Sequence, residues 1–326
     1  SHNSNPQDVP VLVKNGTFSA KKLITAGFPV ENVTCEFFID RINELKVRNI
    51  KGSTFGGAVA GVADTNLKTT KLNMDVTVDN VEMNEMATTM AKMPNEIYGK
   101  AKARVVLETI GQTPEETMQN AVGKVNFEVK NGRLVKLGSI EYLLGAGNLS
   151  VKGLSQSLLS KTLGFAEAEQ TNQFDTLSGI VNINKGTLDI QEIRMQGRYL
   201  SSFATGTVRM KDNNADLTLL NRLSGKITKR LGPVAEISGI SISQAVDELA
   251  KKIPGQWGQL IAEQLKPVTG STGGNAAKYP NRDKIPALSS ATLPEDRDFV
   301  VKIKGKLNNP TSIKSFEWLP VVAPQQ

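Results

Sequence analysis

Chemistry that depends on histidine and cysteine is almost closed to this chain. Its 326 residues hold one cysteine, Cys35, and one histidine, His2. A single thiol excludes an internal disulfide, and one histidine beside one cysteine leaves neither a histidine-based triad nor zinc-type ligand spacing. Cys35 lies in the apolar stretch Val33 to Phe38 and reads as a buried structural thiol. His2 belongs to a polar leader, residues 1–8, that reads as a disordered end or a tag remnant. Aromatic residues make up only 5% of the chain, which argues against a base-stacking surface and so against nucleic acid as a partner. No apolar run approaches the roughly eighteen residues of a spanning helix, and no charged-then-apolar signal peptide opens the chain. A soluble chain is therefore expected.

The remaining polar residues suggest no enzyme. The acidic pairs Glu115-Glu116, Asp247-Glu248 and Glu295-Asp296 are adjacent in sequence, so their side chains diverge on a helix or strand and do not converge on a substrate. Lys161 with Ser157 or Ser160 decorates the polar side of a leucine-striped segment. The glycines at Gly52, Gly56 and Gly57 and at Gly270, Gly273 and Gly274 lack the Lys-Ser/Thr of a phosphate loop and read as bends and linkers. No catalytic residue, metal ligand or cofactor is expected. A net charge of +7 comes from basic residues scattered between acids, as on solvated strand faces, and would favour an anionic surface without specifying one.

What the chain has in quantity is strand pattern. Val125, Phe127 and Val129 alternate with Asn126, Glu128 and Lys130, a period of two that places apolar side chains on one sheet face. The segment Gly123 to Leu134 has a second copy at Gly179 to Leu188, and each reads as a hairpin reversed at Asn131-Gly132 or Lys185-Gly186. Leu72, Met74, Val76 and Val78 share a face in the same way. Further strands are expected over 11–13, 16–23, 33–39, 44–51, 56–62, 67–78, 99–108, 191–207 and 207–220, with a turn at Lys211 to Asn214 and a last strand at Phe299 to Leu307.

Helices interrupt this pattern. Met83, Met86, Met90 and Met93 recur at helical spacing over 81–98, with Pro94 near the end, and form either a packed face or an adaptable apolar lid. Thr113, Pro114 and Glu116 predict a short capped helix to about Ala121. Insertions are expected near 149–165, striped by Leu154, Leu158, Leu159 and Leu163, and near 243–265; residues 267–297 read as a long loop and 321–326 as a tail. The fold class is mainly β with helical insertions (α+β), a long curved, mostly antiparallel sheet in a single domain over 9–320.

In the order of its motifs the chain resembles the AsmA-like family of bacterial envelope proteins, in their C-terminal region. The resemblance runs from Val11 to Trp318: Gly16-Thr-Phe18 with Lys22-Leu23, then Ile50 to Gly57, Gly123 to Leu134 opening onto Leu143-Leu144, Phe174 to Leu177 before Gly179 to Leu188, and Gly305 with Pro310. It implies a sheet forming an apolar groove that binds phospholipid or another acyl lipid and contributes to outer-membrane biogenesis. It implies a periplasmic location, anchorage of the full-length protein to the inner membrane, and inner- and outer-membrane envelope proteins as partners. On this reading the lipid-facing residues are Leu72, Met74, Val76, Val78, Val125, Phe127, Val129, Val181, Ile183, Val208, Met210, Val301 and Ile303. The alternative on the same architecture is an assembly factor that escorts outer-membrane β-barrel proteins along an exposed sheet edge.

Overall fold

The computed structural model describes residues 12–25, 28–41, 43–145, 171–231, 279–307 and 309–319. Thirteen strands form one antiparallel sheet in which spatial order follows chain order from β1 to β13, and the sheet does not close into a barrel. The strands are β1 (Val13–Thr25), β2 (Phe28–Arg41), β3 (Glu44–Thr54), β4 (Gly57–Asn66), β5 (Lys71–Glu82), β6 (Ile97–Ile110) and β7 (Val122–Leu134). They continue as β8 (Gln173–Asn184), β9 (Thr187–Gln196), β10 (Leu200–Arg209), β11 (Asn214–Leu223), β12 (Arg297–Lys306) and β13 (Ile313–Trp318). Four helices lie among the described residues: α1 (Met83–Ala91), α2 (Pro114–Asn120), α3 (Ile140–Gly145) and α4 (Gly225–Leu231).

A chain that folds each strand against its predecessor needs only short connections, and the local sequence supplies them. Phe55-Gly56 joins β3 to β4 and Lys185-Gly186 joins β8 to β9, each with both central residues at positive φ, as a two-residue hairpin requires. Between β4 and β5 the Asn66 side chain accepts hydrogen bonds from the backbone N–H groups of Lys68 and Thr69. That turn occupies 67–70, so the strand expected from residue 67 begins at Lys71. Likewise the single strand expected over 191–207 is broken after Gln196, and β10 starts at Leu200.

The first of the two repeated segments is not a hairpin. β7 runs straight through Asn131-Gly132, and the positive φ of Asn131 makes a bulge: Lys100 opposes Lys130, whereas Tyr98 opposes Arg133. A bulge inserts one residue and bends the strand without reversing it. The helix expected over 81–98 is also shorter, ending at Ala91 with Lys92 in the left-handed conformation, three residues ahead of Pro94. The cap at Thr113 forms as its residues dictate: its side chain accepts from the N–H of Glu116, and the Glu116 carboxylate accepts from the N–H of Gln112. The helices expected near 149–165 and 243–265, the leader and the tail lie outside the described residues, as does 267–278 of the expected loop. The rest of that loop, 279–296, is irregular apart from one 3-10 turn at Arg282–Lys284.

The sheet curls. Asn213, in the turn between β10 and β11, donates from its side chain to the Ala91 carbonyl at the end of α1, 2.7 Å away, and α3 reaches β13. The concave side carries the main apolar cluster, which runs from Val30 to Ile313 and takes in Ile140 and Leu143 of α3 and Ile227 of α4. A second cluster of Phe203, Leu220 and Val300 with Tyr279, Ile285 and Leu319 lies on the outer face of β10 to β12.

Candidate functional site: an apolar trough along the sheet

Directly opposed residues on antiparallel neighbours point to the same face, so the strand register traces each face across the whole sheet. Val76 stands beside Val105, Val105 beside Val125, Val125 beside Val181 and Val181 beside Ile190; the row continues through Gly206, Leu217 and Ile303 to Ile313. A parallel row runs Val78, Ala103, Phe127, Gly179, Ile193, Ala204, Leu219, Val301 and Phe316. Towards the other strand ends, Leu72 opposes Thr109 and Met74 opposes Leu107, while Ile183, Leu188, Val208 and Ala215 form a matching line. A fourth row runs Val81, Ala101, Val129, Leu177 and Met195.

Twelve of the thirteen residues named from the sequence thus lie in strands on this one face. Met210 does not: it follows the end of β10, in the turn before β11. Sequence reasoning passed over the β6 contribution of Ala101, Ala103, Val105 and Leu107, although the alternation with Lys102, Arg104 and Val106 carries the period-two signal. It also passed over Ile190 and Ile193 of β9 and Leu217 and Leu219 of β11. Those strands had been given wrong limits, which scrambles the parity of their faces.

The face is continuous, but its exposure is graded. At β1, Phe18 is 45% exposed, beside Cys35 of β2. Leu72, Met74, Val76, Val105, Leu107 and Val125 in the middle strands are half-buried. From β8 onward most of the corresponding residues are buried, Val181 at 8% and Ile303 at 2%, while Leu188 and Ile193 of β9 and Phe316 of β13 stay half-buried. The far end is sealed by aromatic packing, with Phe299 stacked on Phe316 at 4.7 Å between ring centroids and Trp318 edge-on at 5.4 Å. Where polar residues enter this face they satisfy each other: Ser202 donates to the Asn221 side chain at 2.6 Å, and Asn221 donates to the Leu219 carbonyl.

Two groups sit at the open part. Cys35 is half-buried, not the fully buried thiol expected, and burial pushes its pKa above the ordinary thiol value, which keeps it protonated and unreactive at neutral pH. Helix α1 has no fully buried residue; Met83 packs on the main cluster, and Met90 is exposed. The methionine face is therefore only partly used for packing.

The opposite face of the same strands is ionic. Arg48 pairs with Asp64 at 2.6 Å, Arg104 forks onto Asp75 at 2.9 and 2.6 Å, and Lys71 meets Glu108 at 2.9 Å, each from one strand to the next. The Arg104 hydrogen bonds hold the Asp75 carboxyl below its usual value. The arrangement defines a sheet with a continuous apolar face within and a mainly ionic face outside, on which Val62 and Val106 stand exposed beside Asp75. Among the described residues there is no cluster of acidic, histidine or cysteine side chains suited to a metal ion, and no helix long and apolar enough to cross a membrane.

The class of protein this defines is an open, curled antiparallel sheet with an apolar concave face. Comparison with family models, with curated proteins and with solved structures found no match to this chain.

Proposed function

We propose that the protein binds lipid, with acyl chains lying along the concave face and the headgroup in solvent, and that it serves lipid transfer in the periplasm towards the outer membrane. The observation that carries this reading is the half-exposed apolar row on β5 to β7, Val76, Val105 and Val125, continuous with the buried core but not covered by it. Each acyl CH₂ removed from water there gains roughly 0.8 kcal/mol. Because the rows repeat from strand to strand, a chain can shift by one strand and meet an equivalent surface. Passive movement of this kind requires no nucleotide and no acid/base residue.

The alternative, capture of β-strands at a free edge, is disfavoured at the β1 edge of the sheet. β1 carries Lys14, Lys21 and Lys22, and lysines on an edge strand oppose further pairing.

The test is mass spectrometry of the purified chain under native conditions with lipid extraction. Lipid is expected to accompany the wild type. Val76→Asp is expected to keep the fold and lose the lipid, because it places a carboxylate in the open part of the trough. A lipid-free wild type that instead retains barrel-derived peptides would overturn the reading, and so would Val76→Asp protein with undiminished lipid.

A further inference from the structure

The half-exposed apolar surface reaches the β1 edge of the sheet with no buried stretch between. Met74 stands beside Ala63, Ala63 beside Val47, Val47 beside Phe37 and Phe37 beside Gly16, all of them half-buried. Two residues on from Gly16, Phe18 shows the same face of β1 at 45% exposure.

Further along β1, where the chain turns towards β2, Lys21, Lys22, Leu23 and Ile24 are exposed one after another. Ile24, at 64%, is the most exposed large apolar side chain among the described residues, and Leu23 stands at 40%. Leu23 opposes Val30, a member of the main cluster, whereas Ile24 opposes Pro29, so this strand end bares apolar side chains on both of its faces. Phe28, at the start of β2, packs edge-on against Phe55 at 5.3 Å and ties the exposed end to the folded sheet.

Charge sets this end apart as well. Lys46, Lys71, Lys100, Lys130 and Lys136 each pair with a carboxylate, but among the described residues neither Lys21 nor Lys22 does. Glu31 opposes Lys22 without forming an ion pair, and Lys51 lies one strand further in, opposite Thr34, so the balance here stays positive. A protein that added a strand to β1 would have to set its backbone among the lysines. One that covered a single face would leave either Leu23 or Ile24 in water. A lipid interface meets both conditions: it is fluid enough to surround a protruding strand end, and it offers phosphate oxygens to ammonium groups beside the depth at which apolar side chains leave water.

We propose that the β1–β2 end docks on a bilayer that carries anionic lipid, with Leu23 and Ile24 in the boundary between headgroups and acyl chains and Lys21 and Lys22 on the phosphates. Docking in this way brings the β1 edge, and the uncovered row behind it, against the membrane. That lipid then passes between bilayer and trough rests on the lipid-binding reading; the docking does not.

The experiment floats the whole chain with vesicles of phosphatidylcholine alone or of phosphatidylcholine with about one third phosphatidylglycerol. Wild type is expected to bind the mixed vesicles about tenfold or more tightly than the neutral ones, and to bind them several-fold more weakly at about 1 M salt. Lys21→Gln with Lys22→Gln, and separately Leu23→Ser with Ile24→Ser, are each expected to weaken binding to the mixed vesicles about tenfold. All four side chains are exposed, so both variants should melt near the wild-type temperature. Undiminished vesicle binding by either variant would overturn the proposal, as would a wild type that ignores both kinds of vesicle. A wild type that is dimeric in solution, and monomeric once Leu23 and Ile24 are replaced, would overturn it too by assigning this end to a second copy. Co-purified lipid separates docking from the trough: the lysine variant is expected to keep that lipid, and Val76→Asp to lose it while still binding mixed vesicles. A lipid-free wild type whose vesicle binding depends on Lys21 to Ile24 would remove the trough and keep the docking.

Discussion

Strands β1 to β7 and β8 to β13 belong to one sheet and share one apolar face, yet the two regions are built differently. In the first, the inner face is only half covered, and the outer face mixes ion pairs with exposed apolar residues, Val62, Val106, Ile110 and Val122. In the second, both faces are packed over β10 to β12. The inner one is filled with the help of Ile140, Leu143 and Ile227, and the outer one is covered by Tyr279, Ile285 and Leu319. That covered outer face also holds a buried carboxylate, Asp298, which receives hydrogen bonds from both Arg222 and Arg282. One region supplies the stability of a two-sided core, and the other can therefore leave apolar surface uncovered without losing its place in the sheet.

Truncating one phenylalanine in each region gives the strongest test of this contrast. Phe299 is 0% exposed and touches two further aromatic rings, so Phe299→Ala removes a full side chain from a close-packed site and is expected to cost about 3–5 kcal/mol. Phe18 at the open end has little packing to lose, and Phe18→Ala is expected to cost less than about 1 kcal/mol. Urea unfolding of both variants measures this. Equal losses would mean that the open region is ordinary core.

The two copies of the repeated segment permit a finer test, because each lies in a different setting. In the β8–β9 turn Gly186 has φ +81°, and a Cβ there would meet nothing nearer than Gln119 at 3.9 Å. Gly186→Ala therefore costs only the left-handed backbone, about 1 kcal/mol. Gly132 needs no unusual φ, but a Cβ on it would lie 2.3 Å from the Phe174 ring and 2.4 Å from the Tyr98 carbonyl oxygen. The backbone cannot yield, so Gly132→Ala is expected to cost about 1–3 kcal/mol. Thermal melts of the two variants measure the difference; a more damaging Gly186→Ala would show that turn geometry, not close approach, limits this part of the sheet.

These two glycines also show how far the sequence could be read. The alternation of Leu72 to Val78 and Val125 to Val129 fixes face and strand identity, because side-chain direction in a strand depends on parity alone. Asn131-Gly132 and Lys185-Gly186 look alike, since both put a positive φ where glycine follows. Whether that makes a turn or a bulge depends on what pairs alongside: β6 and β8 flank β7 on both sides and hold it straight. The limits of β9 and β10 were lost for a related reason. Strands buried on both faces, such as Leu200 to Ala204, no longer alternate, and periodicity then has nothing to report.

The smallest effect expected from the contrast is electrostatic. Arg104 and Asp75 form a two-point ion pair on the wet face of β5 and β6, whereas Asp298 with its two arginines is largely removed from solvent. Because the folded state holds the Asp75 carboxyl below its usual value, the pair stabilises the fold above the unfolded pKa of about 3.9 and loses that contribution as pH falls through the folded value. Arg104→Ala is thus expected to lower the melting temperature slightly at neutral pH and low salt. The difference from wild type should vanish at about 1 M salt, where the Debye length is near 3 Å, and again once the pH has fallen below the lowered folded-state pKa of Asp75, where its carboxyl is protonated in both proteins. A difference that survives both conditions would mean that the long Arg104 side chain stabilises β5 and β6 by covering apolar surface on that face, where Val62 and Val106 are exposed, and not through its charge.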